Sequence, residues 1–265
     1  MSGQTGAALA PAAHGVSAMG QPRPPNLAVR ALRFGLTQAE RPFRALGRGL
    51  RWRLLPYLRS CYLTLRYVDA WTEFPAIRVR GPFHFRVTKE VDARLAIRGQ
   101  FRVNFFPGAT TPSMLYLGKR SRLAVEGTFE VGENVRINLA QDAVLEIGGQ
   151  GAASYSGMTN NCTVYVKRRV RIGKDAVLAW KTLVMDSDWH PTNGKLEAFD
   201  TEVGDNTWVC PNAHVLKGAR IGRDSIVATG AVVLRGAYPD KSLLAGMPAK
   251  RIAEAPDWRY EWYET

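Results

Sequence analysis

Residues 203–238 read VGDNTWVCPNAHVLKGARIGRDSIVATGAVVLRGAY, which is the most regular stretch of the chain. A branched aliphatic residue recurs every six positions, and a small residue follows four positions after each one. The aliphatic positions are Val203, Val209, Val215, Ile221, Val227 and Val233, and the small ones are Thr207, Ala213, Ala219, Ser225, Ala231 and Ala237. Amphipathic helices repeat apolar residues every three or four positions, and strands every two. The period of six instead predicts a solenoid that is wound as a triangular prism.

Beyond this stretch the chain continues to the sequence AGMPAK, which ends at Lys250. Residues 203–250 resemble the hexapeptide-repeat acyltransferases, of the sugar and polysaccharide O-acetyltransferase type. The resemblance implies an all-β fold, a left-handed parallel β-helix, which is an exception to the right-handed crossover rule. It also implies acetyl-CoA as the acyl donor, and a homotrimer with each active site between adjacent prisms.

Length and composition restrict the remaining possibilities. The 265 residues allow one repeat domain with appendages, and the formal net charge is +13. Cys61, Cys162 and Cys210 form no close pair and no metal-ligand spacing, which is typical of a reducing cytosol. No signal-peptide pattern precedes Arg23, and no uncharged apolar run reaches the roughly 18–20 residues of a spanning helix. We therefore expect a cytoplasmic protein.

Changes in composition divide the chain into four parts. Residues 1–28 are rich in Ala, Gly and Pro and are predicted to be a disordered tail. Residues 29–72 combine Leu and aromatic residues with Arg at near-helical spacing, which predicts a basic, amphipathic and partly helical extension. Apolar and charged residues then alternate, which predicts a β-helix over 73–252 with irregular early coils. Residues 253–265 are expected to be a tail that caps the last coil.

The basic extension suggests a partner for the positive charge. Residues 20–60 contain nine Arg and one Glu, a balance of +8. A basic segment with interleaved Leu, Trp and Tyr is typical of an element on an anionic membrane surface. The alternative is a helix that packs on the β-helix and exposes its Arg side chains. No nucleic-acid-binding module is recognisable, so we expect no nucleic-acid partner, and a peripheral position at the inner membrane face is a hypothesis.

Residues 185–202, MDSDWHPTNGKLEAFDTE, interrupt the hexads once. A solenoid accommodates such an insertion as a loop at one edge. This loop contains His190, and an imidazole is suited to take the proton of a sugar hydroxyl that attacks a thioester. The family resemblance implies that His190 is the general base. Asp188 is a candidate to orient the imidazole, as the acid does in a catalytic triad, and Asp186 or a backbone carbonyl are alternatives.

The resemblance also implies where the acyl donor binds. Small residues along an edge of the prism would let the pantetheine arm approach the backbone. The candidates are Ala228, Gly230, Ala245 and Gly246 as this wall, Trp208 beside the pantetheine, and Lys250 and Arg251 for the phosphates. Alternatively, the small residues only fit the corners of the prism, Trp208 packs against its neighbours, and Lys250 and Arg251 are solvated surface charges.

The acceptor is less constrained by the sequence. Asn160 and Asn161 are candidates for contacts with it, but the acid expected nearby in some small-sugar acetyltransferases of the family reads as Val166. The histidines have no zinc-ligand spacing, so no metal site is expected. We predict an O-acetyltransferase with direct transfer to a sugar or lipid-linked glycan in polysaccharide biosynthesis. The alternatives are an N-acyltransferase acting on an amino sugar and a non-catalytic β-helix scaffold.

Overall fold

A computed structural model describes residues 54–81, 84–104, 111–152 and 155–260. The predicted tail 1–28 and the first part of the basic extension lie outside the described residues. Within these described ranges, one helix, α1 (Leu55–Tyr67), precedes strands β1–β24, which are numbered in chain order. Among the described residues, α1 included, no helical stretch has the length and apolar character needed to cross a bilayer.

The strands form three sheets, which we name A, B and C. Sheet A contains β1 (Ala70–Trp71), β4 (Arg94–Arg98), β7 (Arg122–Glu126), β10 (Val144–Ile147), β13 (Arg169–Ile172), β16 (Thr201–Val203), β19 (Ala219–Ile221) and β22 (Gly236–Tyr238). Sheet B contains β2 (Ile77–Val79), β5 (Phe101–Val103), β8 (Phe129–Val131), β11 (Gly157–Met158), β14 (Val177–Leu178), β17 (Trp208–Val209), β20 (Ile226–Val227), β23 (Ser242–Gly246) and β24 (Ala249–Glu254). Sheet C contains β3 (Phe85–Lys89), β6 (Ser113–Leu117), β9 (Arg136–Leu139), β12 (Thr163–Val166), β15 (Leu183–Met185), β18 (His214–Val215) and β21 (Val232–Val233).

Each turn of the solenoid contributes one strand to each sheet. Neighbours within a sheet are therefore three strands apart in the chain and pair in parallel, except for the antiparallel pair β23–β24. Hydrogen bonds between coils satisfy the backbone groups of the three walls. The predicted fold class, an all-β left-handed parallel β-helix with a partly helical N-terminal extension, is confirmed.

The hexads occupy the positions that the period of six predicts. Val203 pairs in register with Ile221, and Val209 pairs with Val227, so one upper coil consists of three hexads, one for each wall. These aliphatic side chains are at most 2% exposed. Gly204 shows how closely the coils approach, because a Cβ atom there would lie 2.5 Å from the carbonyl carbon of Gly222.

The lower coils differ in length, but their strands stack in register. Leu95, Leu123 and Leu145 are register partners in successive coils, although the stretch of chain from the first to the second is longer than that from the second to the third. The strands therefore stack regularly, and the variation in length lies in the turns. Sheet A also begins before the predicted boundary at 73, because β1 starts at Ala70.

Helix α1 covers the open end of sheet B. Its side chains Ser60 and Thr64 are buried, and their hydroxyl oxygens accept the backbone N–H groups of Val79 (3.0 Å) and Ile77 (3.1 Å). An exposed strand edge carries unpaired N–H groups that invite association with other chains. The helix satisfies those groups on β2 and buries Leu63 against the first coil.

Candidate active site

The predicted interruption is a hairpin that leaves the prism between β15 and β16, where sheet C leads into sheet A. The backbone N–H groups of Thr192 and Lys195 each donate to the carbonyl of the other residue, at 3.0 and 3.1 Å. Between them, Asn193 and Gly194 have φ angles of +52° and +73°. Asn-Gly favours this left-handed conformation in two-residue hairpin turns. We call residues 186–200 the 186–200 hairpin.

Asp186 anchors the start of this hairpin. Its side chain is fully buried, and its two carboxylate oxygens accept the N–H groups of Lys167 and Arg168, each at 2.7 Å. Burial raises the pKa of Asp186, although these backbone donors act in the opposite direction. Its backbone carbonyl also accepts the N–H of Phe199 at 2.9 Å. The carboxylate that was an alternative partner for His190 is thus engaged by the backbone of the preceding turn.

Asp188 contributes to a second anchor. Lys217 Nζ lies 2.5 Å from the Asp188 carboxylate and 2.9 Å from that of Glu197, so one ammonium group joins both arms of the hairpin. The hydrogen bond to Asp188 is the main cause that raises the pKa of Lys217. The sequence pattern did not indicate that Lys217 bridges the two arms of the hairpin. Orientation of His190 by Asp188 stays a prediction.

Trp189 fixes the position of the next residue, His190. Its φ angle is +62°, an uncommon conformation for a bulky residue, which typically marks turns and functional sites. The indole ring packs edge-on against Tyr165 of sheet C, with centroids 5.6 Å apart. The His190 side chain is exposed on the outgoing arm. The predicted base is therefore presented to solvent by a hairpin that is held at Asp186, Lys217 and Trp189.

The predicted donor residues lie at a different edge, where sheet B leads into sheet C. From β2 to β20, the first residue after each sheet B strand donates its N–H to the coil above, as Ala228 does to Leu244 O at 2.8 Å. From bottom to top this column reads Arg80, Asn104, Gly132, Thr159, Ala179, Cys210 and Ala228, and Ala245 of β23 lies above Ala228. We call this column the B–C edge. Above Arg80 every side chain in it is short, so a strip of backbone stays open to an extended ligand.

Gly230 lies beside the upper part of the B–C edge, with φ at +70°, and a Cβ atom there would meet nothing within 4 Å. Lys181 and Asn212 occupy the equivalent corner in the two coils below, with φ at +60° and +58°. Because these residues adopt the same conformation, the backbone does not require glycine at this corner. The effect of Gly230 is to leave open space beside the edge.

The remaining donor candidates surround this space only in part. Ala245 and Gly246 end β23 directly above Ala228, and the exposed Lys250 pairs with Ala245 across the β23–β24 hairpin. Arg251 is the next residue and is also exposed. The structure thus brings six of the seven predicted donor residues to the upper B–C edge. The seventh, Trp208, lies one coil below Ile226, on sheet B.

Trp208 belongs to a cleft of about 670 Å³ beside the lower B–C edge. Its aromatic lining consists of Tyr155, Trp180, Trp208, Trp258 and Tyr260, and its polar lining includes Asn104, Asn160 and Arg259. We call it the aromatic cleft. Trp180 is 56% exposed, so a large ring face is available to a ligand. Aromatic faces combine apolar contact area with a polar rim, which suits amphipathic rings such as sugars.

The C-terminal tail forms the outer wall of the aromatic cleft. After β24, Trp258 donates its indole N–H to Asn206 O at 3.0 Å, and Tyr260 stacks on Tyr155 at 4.4 Å between centroids. The tail was predicted to cap the last coil, but it continues down the face of sheet B and reaches Tyr155, directly before β11. Burial raises the pKa values of Tyr155 and Tyr260 above the ordinary range, which keeps both phenols neutral.

The two acceptor candidates separate. Asn160 lines the aromatic cleft, and its Oδ1 accepts the N–H of Glu133 at 2.9 Å. Asn161 occupies the left-handed corner position, and its Oδ1 accepts from Asn134 Nδ2 at 2.8 Å. The structure therefore places Asn160, but not Asn161, at the cleft. In the described ranges no group of three or more His, Cys, Asp or Glu side chains is positioned to hold a metal ion.

Within one chain, His190 and the aromatic cleft are not adjacent. The hairpin leaves at the end of sheet C, whereas the B–C edge lies at its beginning, and six extended residues span about 20 Å. The two features nevertheless share one level of the prism. The hairpin leaves from the coil that carries Trp180 on its B–C edge. The chain thus presents a candidate base on one edge and a candidate binding cleft on another, at the same height.

Comparison with known proteins agrees with the sequence pattern. Residues 200–235 match the family model of the bacterial transferase hexapeptide, with six repeats. The resemblance to hexapeptide-repeat acetyltransferases is thereby confirmed. Galactoside O-acetyltransferase of Escherichia coli strain K12 is 26% identical over 155 residues, which cover 55% of this chain and 73% of that protein.

Two further similarities concern proteins of glycan metabolism. A candidate lipopolysaccharide biosynthesis O-acetyl transferase of the same Escherichia coli strain, WbbJ, is 29% identical over 146 residues, which cover 48% of this chain and 72% of WbbJ. Among solved structures, the polysialic acid O-acetyltransferase OatWY aligns with 74% of this chain and 93% of its own, at 21% identity and a TM-score of 0.40.

Proposed function

We propose that this protein is an acetyl-CoA-dependent O-acetyltransferase that modifies a sugar hydroxyl of a glycan or polysaccharide precursor in the cytoplasm. One observation carries the proposal: a rigid hairpin presents His190 at the same coil level as the aromatic cleft and the open B–C edge. The names of the relatives support acetyl transfer to sugars. The missing acid near Asn160 still argues against a simple galactoside acceptor.

The proposed reaction requires one proton transfer and one acyl transfer. The His190 imidazole accepts the proton of the acceptor hydroxyl, and the oxygen attacks the thioester carbonyl carbon. The new C–O bond forms as the C–S bond breaks, and the imidazolium returns the proton to the departing thiolate. The products are the O-acetylated sugar and coenzyme A with a free thiol, so atoms and charge balance.

Cys210 supports direct transfer to the acceptor. It is the one thiol of the B–C edge, so an acyl-cysteine intermediate would have to form there. Burial raises the pKa of Cys210 to about 11, and the side chain is 7% exposed. The thiolate is the reactive nucleophile, and it is scarce at neutral pH when the pKa is that high. A covalent intermediate on Cys210 is therefore disfavoured.

The geometry also supports a homotrimer with shared sites. If a three-fold axis runs parallel to the prism, each coil of one copy lies at the same height as the equivalent coil of its neighbour. The hairpin of one copy can then meet the B–C edge of its neighbour, where the aromatic cleft lies below it and Gly230 lies above it. The acceptor would occupy the cleft, and the donor would extend along the upper edge.

Acetyl transfer is tested by thiol release from acetyl-CoA in the presence of nucleotide sugars and lipid-linked glycans. We expect thiol release that depends on an acceptor, and a product whose acetyl group is removed by hydroxylamine, because esters are labile to it. A hydroxylamine-stable product would instead identify an N-acyltransferase. Absence of both acetyl-CoA binding and thiol release with every acceptor would favour a non-catalytic scaffold.

The donor wall gives a prediction at Gly230. Replacing Gly230 with asparagine is expected to weaken acetyl-CoA binding about tenfold, since displacing two methylene groups of the arm costs about 1.5 kcal/mol. Leucine would add backbone strain, whereas asparagine already occupies this conformation at Asn212. Isothermal titration with acetyl-CoA measures the effect, and thermal melting verifies the fold.

Lys241→Asn is the matched control for this prediction. Lys241 also has a left-handed corner conformation, with φ at +55°, but it lies where sheet A leads into sheet B. We expect this variant to bind acetyl-CoA like the wild type. Undiminished binding by a folded Gly230→Asn variant would place the pantetheine arm elsewhere.

A further inference from the structure

Helix α1 exposes apolar side chains and buries hydroxyl groups. Its buried residues are Pro56, Ser60, Leu63 and Thr64. The large side chains on its other face, together with the residue before it, are Leu54, Leu55, Tyr57, Leu58, Tyr62 and Leu65, which are 42–65% exposed. A helix on the surface of a soluble domain normally has the opposite arrangement. We call this set the outer face of α1.

The fold explains only the inward side of this helix. Ser60 and Thr64 are required inside because they accept N–H groups from the edge of β2. The described part of the β-helix leaves the outward Leu and Tyr side chains 42–65% exposed. Trp71 and Phe74, which are 41% and 47% exposed, add two aromatic rings at 6.4 Å near the end of the helix. Contiguous exposed apolar surface of this kind marks an interaction site.

The charges around the outer face select the partner. Arg59 and Arg66 are the ionisable cations of α1, and no acidic residue occurs between Leu55 and Tyr67. Along the chain, residues 20–60, which include Arg59, have a charge balance of +8. Apolar side chains bordered by cations match the boundary of an anionic bilayer, which attracts both kinds of group.

An arginine-lined cleft adjoins the helix. It has a volume of about 750 Å³ between α1 and the lower strands of sheet B, and Arg78, Arg80 and Arg102 line it. Arg78 is the register partner of Arg102, and like charges directly opposite one another are destabilising. Glu130 compensates Arg102 at 3.3 Å, but no carboxylate among the described residues pairs with Arg78 or Arg80. We call this site the arginine cleft.

Guanidinium groups bind phosphate oxygens through strong, charge-assisted hydrogen bonds. We propose that the outer face of α1 and the arginine cleft dock this protein on an anionic phospholipid bilayer. The Leu and Tyr side chains enter the headgroup boundary, and Arg78 and Arg80 bind lipid phosphate groups. The end of the prism that α1 covers then faces the membrane.

This orientation also bears on the acceptor, a consequence that rests on the proposed function. Asn104 lines both the arginine cleft and the aromatic cleft, so the two adjoin along the B–C edge. A glycan on a lipid phosphate in the same bilayer would enter from the membrane end, and its sugars would reach the level of His190. Docking itself does not depend on acyl transfer.

Vesicle co-sedimentation tests the docking with the full chain. Wild-type protein should pellet with vesicles of phosphatidylcholine and phosphatidylglycerol in equal amounts, and high salt should release it because exposed charges are screened. Pure phosphatidylcholine vesicles should retain far less protein. Leu58→Gln/Leu65→Gln and Arg78→Gln/Arg80→Gln should each weaken binding about tenfold. Substitution is preferred to deletion, because removing α1 would uncover Leu63 and the edge of β2.

Two matched variants complete the test. Ile252→Gln replaces an apolar side chain that is 62% exposed on β24, and Arg220→Gln replaces an exposed arginine of β19, both far along the prism from α1. Both should bind vesicles like the wild type. If the control variants lose as much vesicle binding, the effect is not specific to the outer face of α1 and the arginine cleft, and the proposal fails. Wild-type protein that ignores the vesicles would overturn it too.

Light scattering in the absence of vesicles tests whether a second copy of the chain covers the outer face of α1. If Leu58→Gln/Leu65→Gln lowers the oligomeric mass, the outer face of α1 is an interface between copies, and the membrane proposal fails. Inorganic phosphate tests whether the arginine cleft binds a soluble anion instead of a lipid phosphate group. If millimolar phosphate occupies the arginine cleft and vesicle binding is unchanged, the cleft takes a soluble anion and its part of the proposal fails.

Discussion

Replacing His190 with alanine is expected to lower turnover by about 10²–10⁴, which is the usual contribution of a general base. The hydroxyl of a sugar is a poor nucleophile at neutral pH, and the nearby carboxylate of Asp188 is paired with Lys217, so His190→Ala removes the group best suited to take the proton. Acetyl-CoA affinity should change little, because the predicted donor contacts lie at the B–C edge. Initial rates of thiol release and a parallel titration with acetyl-CoA separate the two effects.

The control for this prediction is His214→Ala. His214 lies on β18 of sheet C and is half-buried, outside the hairpin and the two clefts. Its removal should leave turnover close to that of the wild type. Near-wild-type turnover by His190→Ala would remove His190 from the reaction, whereas equal losses in both variants would indicate damage to the fold.

The upper coils were predictable because their period is short and constant. Since three hexads separate the register partners Val203 and Ile221, every position between them is assigned to a wall, a corner or the core. The lower coils have no such constant length. Leu95 and Leu123 are register partners across a longer stretch of chain than Leu123 and Leu145, so the sequence alone did not indicate which strands stack or that the stack is regular.

The hairpin was partly predictable. The interruption of the hexads located it, and the chemistry of imidazole identified His190. The dipeptide Asn193-Gly194 is a strong local signal for a two-residue turn, and it would have predicted a hairpin instead of an open loop. The anchor between Lys217 and Asp188 depends on the neighbouring coil, which the sequence around the hairpin does not reveal.

The aromatic cleft was not predictable, because its walls come from distant parts of the sequence. Tyr260 stacks on Tyr155, and Trp258 donates to Asn206 and lies 5.7 Å from Trp208 between ring centroids. No periodicity connects the tail to those coils. The only available signal was the aromatic composition of the last residues, which is also compatible with a simple cap.

The orientation of α1 includes a feature that neither interpretation of the basic extension predicted. The mixture of Leu and Arg suggested either a membrane element or a helix that packs on the prism. In the structure the helix packs on the prism through Ser60 and Thr64, which a hydrophobicity pattern assigns to the solvent side. The hydroxyl groups are inside because the N–H groups at the edge of β2 need hydrogen-bond acceptors. The sequence of the helix alone does not show that such an edge lies beside it.

Each proposed active site combines the hairpin of one copy with the B–C edge of another. Two defective variants can test it. One is His190→Ala, and the other is the edge variant Ala228→Trp/Gly230→Asn, which fills the open space beside the edge. Each alone should be strongly impaired at acetyl-CoA concentrations below the KM of the edge variant.

The decisive measurement is the rate of acetyl transfer by trimers that form when the two variants are co-expressed. In randomly mixed trimers, about one quarter of the sites combine an intact hairpin with an intact edge. If the sites are shared between copies, the rate will recover to about one quarter of the wild-type rate per site, which is at least about tenfold above His190→Ala alone. A rate equal to the average of the two separate variants would contradict shared sites, because base and edge would then act within a single chain.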